Sequence, residues 1–266
     1  MRASWLTDTH LNFLRPLALK AFYDKLAAER PDAVLLTGDI AESDTVARVL
    51  DEIAQHTGAA VYFVLGNHDY YRSSIRTVRE EVGRIKCATW LQHAPPVQIA
   101  PNTKMIGVDG WGDARCGDLD SKIKLSDWKL IDDFRKLGAD AAARIEMLQR
   151  LGANEARALR DRLSHVGTTP ELLVLTHVPP FPEACIYDGE QSGPPWLPWF
   201  TCISTGEVLR AYAAEHPQTK ITVLCGHSHG IGTFQAAPNL VVRTGGWPRG
   251  VEGYGNPVVQ ETLELA

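Results

Sequence analysis

No run in the sequence approaches the ~20 consecutive apolar residues of a membrane-spanning helix, and the opening residues MRASWLTDTHLNFL lack the apolar core of a secretory leader. Cysteine is scarce: Cys87, Cys116, Cys185, Cys202 and Cys225 are scattered, odd in number and without a CxxC pair. That argues against a disulfide framework and fits reduced thiols in a cytoplasmic protein. Positive charge is in deficit, with 27 Lys and Arg against 32 Asp and Glu. The net charge of −5 offers no footprint for long nucleic acid, although a small anion can still be met by a local positive site. Internal repeats, low-complexity segments and dividing linkers are missing too. The 266 residues are therefore expected to form a single domain spanning 1–266 with a substantial core.

Present in abundance is an alternation of short apolar runs and helical spacing. Ala33–Thr37 and Ala60–Leu65 read as buried strands, as do Thr103–Val108, Leu172–Thr176 and Ile221–Cys225. Pro16–Arg30 and Ser43–His56 carry helical periodicity, with Ser43 in the position of an N-cap. Ser126–Leu163 reads as mostly helical, broken near Gly138 and Gly152, and Gly232–Gln235 with Leu240–Arg243 reads as a hairpin. Strand–helix–strand repetition predicts an α/β fold with a parallel or mixed sheet covered by helices.

The apolar runs share a habit: each ends in a small polar cluster. Asp8-Thr9-His10 comes first, then Gly38-Asp39, then Gly66-Asn67-His68-Asp69, then Thr176-His177, and last Gly226-His227-Ser228-His229. Ligands of α/β sheets gather at the carboxyl ends of strands, so these clusters can converge. Two Asp, one Asn and several His are oxygen and nitrogen donors suited to Mn, Fe or Zn. They are too many for one ion, whereas two ions sharing a carboxylate would use them all. Such a pair suits phosphoryl transfer.

The ordered series Asp8-x-His10, Gly38-Asp39, Gly66-Asn67-His68-Asp69, His177 and Gly226-His227-Ser228-His229 resembles the calcineurin-like metallophosphoesterase family. Any one of these motifs is weak, and the set in order is specific; it covers most of the chain. The resemblance implies a four-layer α/β sandwich of two mixed β-sheets flanked by α-helices. It implies one metal held by Asp8, His10, Asp39 and His229, and another by Asp39, Asn67, His177 and His227. The cofactors would be two divalent or trivalent ions, Mn or Fe first and Zn as a further option. Activity would be hydrolysis of a small or medium phosphomonoester or phosphodiester, with a bridging hydroxide as nucleophile. His68 would be no ligand but a catalytic residue beside the phosphoryl oxygens. The competing reading is an inactive protein-binding scaffold of the same fold, which predicts a degraded ligand set.

The second motif departs from the protein-phosphatase branch. It runs Gly38-Asp39-Ile40-Ala41-Glu42-Ser43, without that branch's arginine, and Glu42 stands where a second acid would orient His68. Asp109–Asp118 (DGWGDARCGD) reads equally as a turn or as a substrate wall with Arg115 on the phosphate. Pro179–Pro198 reads as a binding loop or as a surface loop packed by its own Trp and Pro. Tyr187, Trp196, Trp199 and Trp111 are candidates for stacking on a leaving group. In Thr244–Pro257, Arg249 is a weaker anion candidate. The sequence leaves the oligomeric state open.

Overall fold

The structure is a computed structural model that describes residues 1–249 and 257–266. Its strands are β1 (Arg2–Leu6), β2 (Ala33–Thr37), β3 (Ala60–Val64), β4 (Thr89–Trp90), β5 (Val97–Ala100), β6 (Thr103–Gly107), β7 (Glu171–Leu175), β8 (Ile186–Tyr187), β9 (Glu190–Gln191), β10 (Lys220–Cys225), β11 (Gly232–Ala237), β12 (Leu240–Thr244) and β13 (Val259–Glu264). Helices are α1 (Pro16–Ala28), α2 (Val46–Thr57), α3 (Ile75–Val82), the short α4 (Asp127–Leu130) and α5 (Asp132–Arg135), α6 (Ala141–Ser164), the short α7 (Leu197–Phe200) and α8 (Ile203–Glu215). One sheet has the order β13-β1-β2-β3-β4 and the other β11-β12-β10-β7-β6-β5. Both are mixed: β13, β11 and β5 pair antiparallel at their edges, and the central strands are parallel.

Side-chain alternation divides the apolar residues among three cores. Trp5, Leu35, Val64, Met105, Leu173, Leu175 and Leu224 meet between the sheets. Leu6, Val34, Leu36 and Phe63 face the opposite way, onto buried residues of α1, α2 and α3. Leu172, Val174, Ile221 and Val223 likewise face α6 and α8. Strands buried on both faces read as continuous apolar runs, which is why they stood out in the sequence. Burying one side chain of Phe63's kind stabilises the fold by roughly 1.5–3 kcal/mol. The result is two mixed sheets flanked by helices, with the central strands of each sheet running in parallel to their polar ends.

Two helix boundaries differ from the sequence expectation. α2 starts at Val46, and the Ser43 hydroxyl donates to the Tyr71 carbonyl at 2.7 Å instead of capping it. α6 begins after Gly138, capped by the Asp140 carboxylate on the Ala143 N–H at 3.0 Å, but it passes through Gly152 unbroken. A side chain at Gly152 would strike Asp113, so that glycine permits close packing rather than a break.

Asp109, two residues beyond β6, joins the layers. It is fully buried and accepts from Leu65 N–H at 3.0 Å, Trp90 Nε1 at 2.7 Å, Tyr70 OH at 2.9 Å and Arg79 Nη2 at 3.1 Å. Arg79 Nη2 also reaches Glu155 of α6 at 2.9 Å. Trp111 lies in the core, its ring centre 5.2 Å from that of Tyr70. Most of what read as a substrate wall is therefore internal. All five cysteines are free thiols, and Cys225 is fully buried. No helix among the described residues is long and apolar enough to cross a membrane.

Candidate metal centre

The β1, β2 and β3 ends and the β7 and β10 ends bring their polar clusters together. Asp8, His10, Asp39 and His229 form one group, and Asp39, His177 and His227 another; in each group one donor atom per residue lies within 4.8 Å of the others. Asn67 Oδ1 joins the second, 3.3 Å from His177 Nε2. Asp39 belongs to both. Its Oδ1 is 3.3 Å from His177 Nε2, and its Oδ2 is 3.8 Å from His10 Nε2 and 3.9 Å from His68 Nε2. Asp8 Oδ1 lies 3.3 Å from His229 Nε2.

The backbone is bent to reach this arrangement. Asp8, His10, Asp39, His227 and His229 all have positive φ, from 41° to 67°. Non-glycine residues held there cost of order 1–3 kcal/mol each and cluster at functional sites. The motif glycines serve close approach. A methyl group on Gly66 would run into Oδ1 and the N–H of Asp39, and one on Gly226 into Thr7 and Asp8. Gly66→Ala is expected to lose about 1–3 kcal/mol by overpacking and to weaken Mn²⁺ binding with it. Urea unfolding and Mn²⁺ titration check both; wild-type values in both would show that the loop yields.

Charge follows burial. Burial alone would raise the Asp8 carboxyl, but the hydrogen bond and charge of His229 outweigh it and bring the pKa to about 2. Asp39 is likewise held well below the carboxylate range, burial being overcome by His177, His68 and His10. Burial opposes protonation of His177, yet Asp39 raises it to about 10. His10 and His227 are pushed down to about 3, first by burial. They are neutral imidazoles, the form that ligates metal.

The residues fit a pair of cations on three counts. Asp39 Oδ2 is buried and accepts no hydrogen bond from a described residue. His177 Nδ1 is 2.8 Å from the Thr37 carbonyl, and His227 Nε2 is 3.2 Å from the Trp199 carbonyl. Each ring thus has one nitrogen on a carbonyl, the outer hydrogen bond typical of ligating histidines, and His177 turns its other nitrogen to Asp39 at 3.3 Å. Every donor is oxygen or nitrogen, the set suited to Mn, Fe or Zn.

His68 stands at the edge of the cluster. Its N–H donates to Asp39 Oδ1 at 2.8 Å, its ring stacks on Tyr71 with centres 4.1 Å apart, and its side chain is 13% exposed. Glu42 does not orient it: the Glu42 carboxylate pairs with Arg72 Nε at 2.7 Å. Arg115 Nε lies 3.8 Å from Asp113, a residue outside the cluster. Arg249 Nε lies 3.8 Å from Asp188, and residues 250–256 of the Thr244–Pro257 stretch lie outside the described residues.

Some contributors had no role assigned from the sequence. Asp69, with fully buried carboxylate, accepts from Ile40, Ala41 and Gly66 N–H at 2.9, 2.9 and 2.8 Å, tying the second motif to the third. Phe200 stacks on His227 with ring centres 4.4 Å apart, and the Trp247 ring lies 4.1 Å from that of His229, tilted by 35°. Of the four candidate aromatics, Trp111 and Trp199 are buried, whereas Tyr187 and Trp196 are 56% and 46% exposed. Their roles depend on contacts distant in the chain, and only the Gly-Asn-His-Asp motif hinted at Asp69.

An Asp/His cluster at the strand ends of a double-sheet sandwich is the architecture of a metal-binding hydrolase. The family model for calcineurin-like phosphoesterases matches residues 1–230, and the chain belongs to that family, which uses a dinuclear metal centre. The fold is similar to that of a phosphopantetheinyl hydrolase from Mycobacterium tuberculosis, at 16% identity and TM-score 0.67, covering 93% of this chain and 90% of that one. It is also similar to a dimetal phosphatase from Danio rerio, at 14% identity and TM-score 0.56, covering 92% and 87%. No curated protein matches the sequence.

Proposed function

We propose that the chain, acting as one domain over 1–266, hydrolyses a small or medium phosphomonoester or phosphodiester. The observation that carries this is the sharing of buried Asp39 between two donor groups with His68 at its open edge. Asp8, His10, Asp39 and His229 would hold one ion, and Asp39, Asn67, His177 and His227 the other, as Mn, Fe or Zn. When bound, such a pair supplies Lewis acidity to an attacking water and neutralises charge on phosphoryl oxygens. His68 is ordered by its N–H bond to Asp39 and by Tyr71, so its ring is positioned to donate a proton to the leaving oxygen. Asp8 accepts from the His227 N–H at 3.1 Å and holds the last motif's loop in place. Exposed Trp196, edge-on to Phe200 at 5.5 Å, offers a face to an aromatic or apolar leaving group. The net charge of −5 disfavours long nucleic acid, and the free thiols suit a cytoplasmic setting.

The test strips metal, restores Mn²⁺ and assays p-nitrophenyl phosphate beside bis-p-nitrophenyl phosphate. Turnover is expected to return with Mn²⁺, and the ratio of the two esters separates monoesterase from diesterase. His68→Ala is expected to lose about 10²–10⁴-fold in kcat while still binding Mn²⁺. Wild-type protein that binds none of Mn²⁺, Fe²⁺ and Zn²⁺ would overturn the assignment and favour the scaffold.

A further inference from the structure

The second-motif acid that would steer His68 is engaged elsewhere, on Arg72. Another carboxylate stands in the neighbourhood, from a segment about 60 residues away. Asp127, the first residue of α4, is buried. Its Oδ1 accepts from Asn67 Nδ2 at 2.9 Å and from Tyr71 OH at 2.7 Å. Asn67 is thus gripped by its amide nitrogen, which turns Oδ1 toward His177. Tyr71 is gripped by its hydroxyl, and its ring carries the stacked imidazole of His68. One oxygen therefore orients two consecutive residues of the third motif.

The placement of Asp127 is firmly built. Arg72 N–H donates to the Leu130 carbonyl at 2.6 Å, and Asp132 N–H to the Ser73 carbonyl at 2.9 Å, which locks the α4–α5 segment to the loop after His68. Ile75 N–H adds a bond to the Asp133 carboxylate at 2.8 Å. Trp128 packs its ring edge-on against Trp199, whose carbonyl receives His227, with centres 5.7 Å apart.

We propose that Asp127 is a positioning residue for the centre, fixing Asn67 as a metal donor and, through Tyr71, holding the His68 ring in place of the second-motif acid. The inference rests on the assignment of Asn67 and His68 above. Outer-shell partners of metal ligands typically contribute 10–100-fold in affinity or activity, which sets the expected size.

The test follows Mn²⁺ binding to the full chain by isothermal titration and by electron paramagnetic resonance of Mn²⁺. Asp127→Ala is expected to weaken one of two Mn²⁺ sites about 10–100-fold and to leave the other unchanged. Asp127→Asn keeps an oxygen at the Oδ1 position and is expected to restore affinity to near wild type. Tyr71→Phe keeps the ring but frees it from Asp127; on whichever nitrophenyl ester the wild type cleaves, kcat should fall more than KM rises, with Mn²⁺ affinity retained. Two wild-type Mn²⁺ sites in Asp127→Ala would overturn the proposal alone, as would Asp127→Asn as weak as Asp127→Ala. If Asp127→Ala does not fold, wild-type kcat in Tyr71→Phe overturns the His68 arm. Wild-type protein that binds none of Mn²⁺, Fe²⁺ and Zn²⁺ overturns the metal-centre assignment itself, and this inference with it.

Discussion

Asp39→Asn is expected to reduce Mn²⁺-restored phosphoester hydrolysis by more than about 100-fold, the upper end of what outer-shell substitutions cost. Asp39 is the one residue common to both donor groups, so a single change weakens both. Asparagine keeps the shape and the Oδ1 acceptor for the His68 N–H. It loses the charge, and it puts an amide where Oδ2 accepts no hydrogen bond from a described residue. The variant should fold, because one buried charge is removed and the packing volume is kept. Two measurements separate loss of the centre from loss of the fold. Mn²⁺ should raise the Tm of the wild type, since a ligand that binds only the native state stabilises it. In Asp39→Asn that shift should disappear, while the metal-free protein still unfolds cooperatively, at a somewhat lower Tm because His177 loses its buried counter-charge. Activity within tenfold of wild type, or a retained Mn²⁺ shift, would remove Asp39 from the bridging role.

The largest expected effect on stability belongs to Arg79→Leu, at about 3–5 kcal/mol, the cost of breaking a buried ion pair and leaving its partner charged. Arg79 serves two buried carboxylates, Asp109 at 3.1 Å and Glu155 at 2.9 Å. The effect should depend on pH in a defined direction. Burial and then Asp109 raise the Glu155 carboxyl, against the lowering by Arg79, to about 7 from an ordinary 4.5. Between those values the folded state holds more protons than the unfolded one. The stability from this group is complete below about 4.5 and is lost as pH rises through about 7. Removing Arg79 takes away the main lowering influence and widens that window upward. Urea unfolding of Arg79→Leu should show a larger deficit at pH 8 than at pH 5, where Glu155 can be protonated. An equal deficit at both would mean that Arg79 acts through packing alone.

Most of the fold was legible because its central strands are buried on both faces and announce themselves as apolar runs. Ala33–Thr37 and Ile221–Cys225 needed no alignment to be read. The edge strands β4, β5 and β13 were not read, because short or half-exposed strands alternate weakly and are held by pairing with distant partners. Gly152 misled for a related reason. A glycine signals a break when only its neighbours are considered, yet here it serves a contact with Asp113, 39 positions earlier in the chain.

By itself the sequence located the candidate donors and His68 beside them. Polar residues behind apolar runs and glycine turns must sit at strand ends, and Asp8, His10, Asp39, Asn67, His68, His177, His227 and His229 all do. That follows from local rules, because turns and strand ends are set by residues a few positions apart. Only the tertiary structure decided which donors face each other across Asp39, that Glu42 takes Arg72 rather than His68, and that Asp127 holds Asn67 and Tyr71. It also sorted Trp111 and Trp199 into the interior while leaving Trp196 and Tyr187 exposed. Those outcomes depend on how two sheets and an intervening segment pack. The groups that meet there lie some 30 to 220 residues apart, a separation at which no periodicity or turn signal survives.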